Sequence, residues 1–417
     1  MLNLQVALPR RARRGPPIGV ALAGGGPLGM VYELGALRAL EESIAGLDLH
    51  ALDVYVGVSA GSVVAACLAN GFTATQQCRV LVQNESEAFP LDPGRFLRPA
   101  FREYLRRSRR APGLAMKALG DLLRKPFDGG LMQSLNRLAA AVPAGIFDNE
   151  GIHRVLEDAF AARGKTNDFR RLKAQLYLVA VDLDSGESVR FGAPGYDHVP
   201  ISRAVQASTA LPGLYPPVVI DGEYYVDGAL QRTLHASAAL EDGVHLLFCI
   251  NPIVPLDARV ADPVPELPGG SLTQGGLVAV LGQTFRALVH SRMSVGMAQY
   301  RRRFPDRDIL LLEPERSDAR LFFTNVFSFS NRHRVCEQAY QTTRRDLLAH
   351  RTTLSPVLER HGLSLRLDVL QDRQRHFDTG LGPDPEAARL ARLRNAVTNR
   401  LSDTLDRLQQ ELERRHG

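Results

Sequence analysis

Lysine is nearly absent from this chain of 417 residues. Lys117, Lys125, Lys165 and Lys173 are all there is, and arginine carries the rest of the positive charge. The net charge of +6 is mild for this length, so it implies no nucleic-acid partner and local clustering matters more. Cysteine is scarce too. Cys67, Cys78, Cys249 and Cys336 form no C-x-x-C pair, and Cys67 and Cys249 lie in apolar runs. That spacing points away from disulfides and from a metal site, and predicts reduced, buried thiols. No signal-peptide core or cleavage site is visible. A basic cluster (Arg10, Arg11, Arg13, Arg14) is followed by apolar residues that run straight into Gly24. A cytoplasmic location is the expectation, either free or peripheral to a membrane, with specialised export without a cleaved signal left open. There is no internal repeat and no low-complexity tract. What remains, 45% hydrophobic and 23% charged, is an ordinary globular composition able to bury a large core. At this length it predicts one large α/β domain with additions, or two domains.

An uninterrupted membrane span is missing as well. The nearest approach is the uncharged run from Val54 to Asn70, and Gly57, Ser59, Gly61 and Ser62 break its middle. Its first residues are β-branched or aromatic and read as a buried strand. Its last, rich in Ala, Val and Leu, read as a buried helix. Between them Gly57, Ser59 and Gly61 make a G-x-S-x-G turn. A serine on a sharp strand-to-helix turn is forced outward, where its hydroxyl can meet a carbonyl carbon.

Ahead of that run, residues 18–23 read as a strand, Gly24 to Gly29 as a glycine turn, and Met30 to Ile44 as a helix. The spacing fits G-x-G-x-x-G, a dinucleotide fingerprint. That reading requires the next strand to end in an acid for a ribose hydroxyl. Here the next strand ends in Ser59, and Asp53 precedes it. The same glycines suit an oxyanion better, because backbone N–H groups at a bare turn before a helix converge on one spot.

Residues 86–150 break the α/β rhythm. Within 95–125, ten basic residues face only Glu103 and Asp121, a net +8 interleaved with large apolar side chains such as Phe101, Tyr104 and Leu105. This basic helical insertion is either a solvated face packed on the core or a cover that contacts a membrane. Further along, strands are expected at 176–181 and 188–191, then a short helix from Ala204 stopped by prolines. A strand through Glu223–Val226 ends at Asp227, Gly228 and Ala229. A helix through His235 and Leu240, a strand over 244–250, a proline-rich loop over 252–270 and a last strand at 309–312 complete the sheet region. From Phe322 onward the pattern is helical. Leu390, Leu393, Val397, Leu401, Leu405, Leu408 and Leu412 recur every three or four residues, an amphipathic stripe for docking on its own domain or for self-association.

Three features thus stand in order: glycines at 24–29, Ser59 on its turn, and Asp227-Gly-Ala at a strand end. Here the chain resembles the patatin-like phospholipases, whose signature is G-G-G-x-x-G, G-x-S-x-G and D-G-A or D-G-G. Similarity extends through the segment from Ala207 to Val218 and covers about residues 18–252. The resemblance implies a three-layer α/β/α fold with a central, mostly parallel sheet and a lipid acyl hydrolase with a Ser–Asp dyad. Ser59 would be the nucleophile and Asp227 its base. Gly24, Gly25 and Gly26 would supply oxyanion N–H groups, and Gly29, Gly57, Gly61 and Gly228 would support the turns. No metal or organic cofactor is implied, and the partner is a lipid or membrane-surface substrate. The chain departs from the family at Leu28, where many members are basic, and at Thr233 and His235, where Asn and Pro are frequent. His235 raises the question of a Ser-His-Asp triad, but Ala23 stands where the α/β-hydrolase oxyanion loop carries a histidine, which favours the dyad. The division expected is a basic tail over 1–17, a catalytic domain over 18–320 and a helical extension over 321–417. A lipid-binding or scaffold protein that kept the fold without turnover is the alternative.

Overall fold

The computed structural model describes residues 1–6, 16–83, 98–99, 144–261, 271–318, 322 and 331–379. Its strands are β1 Leu2–Gln5, β2 Ile18–Leu22, β3 Ile44–Ala45, β4 Val54–Val58, β5 Arg98–Pro99, β6 Phe147–Asp148, β7 Gln175–Asp182, β8 Ser188–Phe191, β9 Val218–Ile220, β10 Glu223–Asp227, β11 Leu246–Ile250, β12 Asp308–Leu312 and β13 Ser364–Leu365. Its helices are α1 Gly26–Ser43, α2 Ala60–Ala69, α3 Ala74–Leu81, α4 Glu150–Phe160, α5 Ile201–Ser208, α6 Ser237–Glu241, α7 Gly276–Arg303, α8 Arg332–Ala349, α9 Arg351–Arg360 and α10 Leu367–Gln371.

Continuous apolar runs become the parallel centre of one nine-stranded sheet. Strands covered on both faces need no polar alternation, and every residue of β4, β11 and β12 is buried. The order is β1-β12-β11-β2-β4-β7-β10-β9, with β8 also on β7. From β12 through β7 neighbouring strands are parallel, while β1, β8, β9 and β10 are antiparallel additions. Helices cover both faces, giving the expected α/β/α layers. One face packs α1, α2, α3 and α8 over Leu22, Tyr55 and Leu178. The other buries Val56, Val179 and Leu247 beneath α6 and the Met293, Met297 and Tyr300 side of α7. Against α1 lies α8, so close that a Cβ on Gly35 would fall 2.2 Å from the Cys336 carbonyl oxygen.

Several sequence expectations are revised. Within residues 1–17, read as a basic tail, Leu2–Gln5 extend the sheet by pairing with β12, from Leu2 opposite Leu312 to Gln5 opposite Ile309. Four residues are too few to show a periodic pattern, and the free edge of β12 supplies the partner. The first helix starts at Gly26, not Met30, because Pro27 in its first turn has a preset φ and no N–H to lose. His235 lies ahead of α6 at φ 47°, a left-handed backbone, and not within a helix. The long helix α7 had no forecast: its apolar residues are spread around the axis and give no single stripe. All four cysteines are buried and free, as expected.

The helical C-terminal region is present as α8, α9 and α10. It is tied to the sheet through Asp308, whose carboxylate accepts from Arg360 Nη2 (2.8 Å) and His361 Nε2 (2.7 Å). It also touches the end of α1, where β13 pairs with β3. The leucine stripe over 390–412 lies outside the described residues. So does the basic insertion, apart from Arg98–Pro99, which pair with Phe147–Asp148, and the segment from 144 onward. Among the described residues no helix is long and apolar enough to cross a membrane.

Candidate active site

One strand sets the distances at this site. Along β7, Val58 of β4 stands opposite Val179, and Asp227 of β10 stands opposite Ala180, the next residue. The other edge of β7 is occupied by β8 over the same residues, so β4 and β10 share one edge end to end. The chain leaving β4 and the chain ending β10 therefore arrive at the same place. There Ser59 Oγ donates a 2.5 Å hydrogen bond to Asp227 Oδ2.

Ser59 is held in an unusual backbone conformation, φ 53° and ψ −125°, at the junction of β4 and α2. Positive φ costs a residue with a Cβ on the order of 1–3 kcal/mol, and persists where the surroundings impose it. Gly61 shows the imposition: a Cβ there would lie 2.6 Å from the carbonyl oxygens of Leu22 and Ala23. A Cβ on Gly57 would likewise lie 2.6 Å from Ser62 Cα. The Ser62 hydroxyl donates to the Ser59 carbonyl. Ser208, at the end of α5, accepts from the Ser59 N–H at 2.9 Å and donates to the Val179 carbonyl at 2.6 Å. Sequence reasoning gave Ser208 no role, although it lies inside the stretch that carries the family resemblance. Its α5 neighbour Gln206 is bonded to Asn149 and Glu150, fixing the helix against α4.

Asp227 is 2% exposed. Its second oxygen, Oδ1, accepts the Ala229 N–H at 2.8 Å, and its own N–H reaches the Ala210 carbonyl at 3.0 Å. Burial pushes its carboxyl up to about 6, while the Ser59 hydroxyl and the Ala229 N–H hold it from going higher. Gly228 lets the chain turn here, since a Cβ would sit 2.3 Å from the Val179 carbonyl oxygen.

The glycine turn closes the site from the third side. A Cβ on Gly24 would approach Ser59 Cβ at 3.0 Å and Ala229 Cβ at 3.1 Å. Gly25 and Gly29 face the Pro252 ring. The Ala23 N–H is used by the Ile250 carbonyl and the Gly29 N–H by the Gly25 carbonyl. Among the described residues no acceptor meets the N–H groups of Gly24, Gly25 or Gly26. The helices α1 and α2 both begin at this point, and their unpaired first N–H groups and dipoles favour negative charge.

Ser59 and Asp227 open into a cavity of about 300 Å³ with walls of Leu28, Met30, Val63, Leu211, Leu214 and Phe285, among others. Among the described residues its charged lining consists of Asp227 and Arg286. His235 does not reach it. That ring is buried, faces Ser188 Oγ at 3.4 Å, and has its pKa lowered to about 3 by burial, then by Arg232 and Arg190. Among the described residues, Asp182, Asp184 and Glu223 bring carboxylate oxygens within 4.8 Å of one another, outside this cavity. The Asp182 carboxylate is already engaged by Ser185 and the Asp184 N–H. Chemically, the site offers a hydroxyl on a basic carboxylate, beside uncommitted N–H donors, in apolar walls.

No curated protein matches the chain. Among solved structures it is similar to VipD from Legionella pneumophila, at 18% identity and a TM-score of 0.32, over 59% of this chain and 52% of that one. It is also similar to the type III effector protein ExoU, at 17% identity and a TM-score of 0.34, over 80% of this chain and 52% of that one. The full-length SpcU–ExoU complex from the type III secretion system of Pseudomonas aeruginosa matches at 15% identity and a TM-score of 0.26, over 71% and 54%. The chain thus spans about half the length of these neighbours. The family description "Patatin-like phospholipase" matches residues 20–240, a stretch that holds the glycine turn, Ser59 and Asp227 together. This chain belongs to the patatin-like phospholipase family.

Proposed function

We propose that the chain is a serine esterase of the phospholipase A type, cleaving acyl esters of lipids through an acyl-Ser59 intermediate. Membership of a lipid acyl hydrolase family supports the substrate class. The observation that carries the mechanism is the 2.5 Å contact between Ser59 Oγ and Asp227 Oδ2. In the first half-reaction Oγ attacks the ester carbonyl carbon and its proton passes to Asp227 Oδ2. The oxyanion of the tetrahedral intermediate lies against the N–H groups of Gly24, Gly25 and Gly26, where one well-placed donor contributes about 3–4 kcal/mol. Collapse breaks the ester C–O bond, and the alcohol leaves with the proton from Asp227. In the second half-reaction Asp227 takes a proton from water, hydroxide adds to the acyl carbon, and the fatty acid is released as Ser59 recovers its proton.

A carboxylate at its ordinary pKa of about 4 is a poor base. Burial raises Asp227 to about 6, close to where a general base works best at neutral pH. The substrate arrives from a lipid surface, which fits the apolar walls of the cavity. A fluorophosphonate probe, which reacts only with an activated serine, tests the reading directly. Labelling should map to Ser59, and vanish in Ser59→Ala and Asp227→Ala. Equal labelling of Ser59→Ala would move the nucleophile elsewhere. No labelling of the unaltered protein would favour a lipid-binding protein without turnover.

A further inference from the structure

Among the described residues Arg286 is a cation without a counter-ion. It stands on α7, a helix that the three sequence motifs do not include, and lines the same cavity as Ser59. No carboxylate among the described residues pairs with it, although arginines elsewhere, such as Arg203 with Glu150 and Arg375 with Glu42, are paired. What it does contact is the Phe322 ring, 4.9 Å from the guanidinium carbon to the ring centroid. A ring occupies the face of a guanidinium and leaves the in-plane N–H donors at its edge. Loss of solvent disfavours the charged form and lowers the Arg286 pKa, yet a guanidinium stays protonated at neutral pH. A partly desolvated cation with five donors and no anion is an incomplete site.

The chemistry of the missing partner follows from the walls. The donors form the fork that matches phosphate or carboxylate oxygens. Around them the lining is hydrocarbon: Leu28, Met30, Leu211, Leu214 and Phe285. A free inorganic anion would gain nothing from such surroundings. An anion carrying alkyl chains would bury them there.

We propose that Arg286 recognises the phosphate of a phospholipid, and so selects phosphate-bearing esters over neutral acylglycerols for presentation to Ser59. This rests on the acyl-hydrolase reading of the same cavity. Leu28 leaves the glycine turn without a side-chain cation, and Arg286 supplies one from the opposite part of the chain.

Two measurements test the assignment, and the first is independent of turnover. In a Ser59→Ala background, calorimetric titration with octyl phosphate, 1-octanol and inorganic phosphate should rank octyl phosphate tightest by at least tenfold. Adding Arg286→Gln should remove that preference and leave octanol binding in place, while Arg286→Lys keeps part of it. An unchanged preference in Arg286→Gln overturns the proposal. Inorganic phosphate binding as tightly as octyl phosphate also overturns it, as a small-anion site. In the otherwise unaltered protein, the ratio of kcat/KM for dioctanoylphosphatidylglycerol to that for dioctanoylglycerol should fall at least tenfold with Arg286→Gln. A parallel loss on both substrates would mean a structural role only. If the unaltered protein hydrolyses neither lipid, the esterase reading fails, while the binding series still decides what Arg286 holds.

Discussion

Ser59 and Asp227 are 168 residues apart in sequence, yet each is one step from the same point on β7. The hydroxyl and the carboxylate meet because β4 and β10 lie end to end along one edge of that strand. Neither side chain is positioned by a flexible loop.

That arrangement predicts the effect of removing either group. Ser59→Ala and Asp227→Ala should each lower kcat on p-nitrophenyl butyrate by about 10³-fold or more, with circular dichroism unchanged. Groups that act as a unit cost nearly as much singly as together, so the double variant should lose little more. Substantial activity in Ser59→Ala would place the nucleophile elsewhere.

The pH profile should carry the mark of Asp227. As the base it must be ionised, so kcat/KM should fall as pH drops through about 6 and be level above it. An inflection near 4 would indicate a solvated carboxylate.

Stability should move the opposite way. The folded pKa of about 6 lies above the ordinary carboxyl value, so the folded state holds the proton more tightly than the unfolded chain. Raising pH from well below 4 to well above 6 therefore weakens the fold, by ~3 kcal/mol from this group alone. Asp227→Asn keeps the shape and removes the buried charge. It should raise Tm at pH 8, and the gain should disappear below about pH 4. A variant less stable than the parent at pH 8 would contradict the desolvation of Asp227.

Ser208 is a positioning residue. Ser208→Ala removes the acceptor for the Ser59 N–H, and should lower kcat about tenfold while KM and the acid limb near pH 6 stay in place. A change confined to KM would argue against it.

His235 should be dispensable for turnover. His235→Asn suits the left-handed backbone there and should keep activity within about threefold, with an unshifted pH profile. Loss as deep as that of Ser59→Ala, in a folded variant, would restore a histidine base.

The legible parts of this molecule were those fixed by local chain geometry. Ser59 between Gly57 and Gly61, and Asp227 before Gly228, are tight turns whose residue types follow from nearby steric demands. The parallel strands were legible because burial on both faces makes them continuously apolar. Ser208 and Arg286 were not, since their significance lies in what they face across the fold. Nothing in the residues around Arg286 reveals that no carboxylate among the described residues faces it. The α7 helix was hidden by apolar residues on all sides, some packed beneath and others exposed beside the cavity. The edge strand β1 needed β12 to be recognisable.

The shared edge of β7 has a consequence for where the Ser59–Asp227 contact is encoded. Every described strand of the main sheet lies outside residues 84–143, and the contact is measured across strands, not along the chain. Among the described residues, strand register along β7 sets that distance. In the proposed mechanism the path of the proton is therefore a property of the sheet.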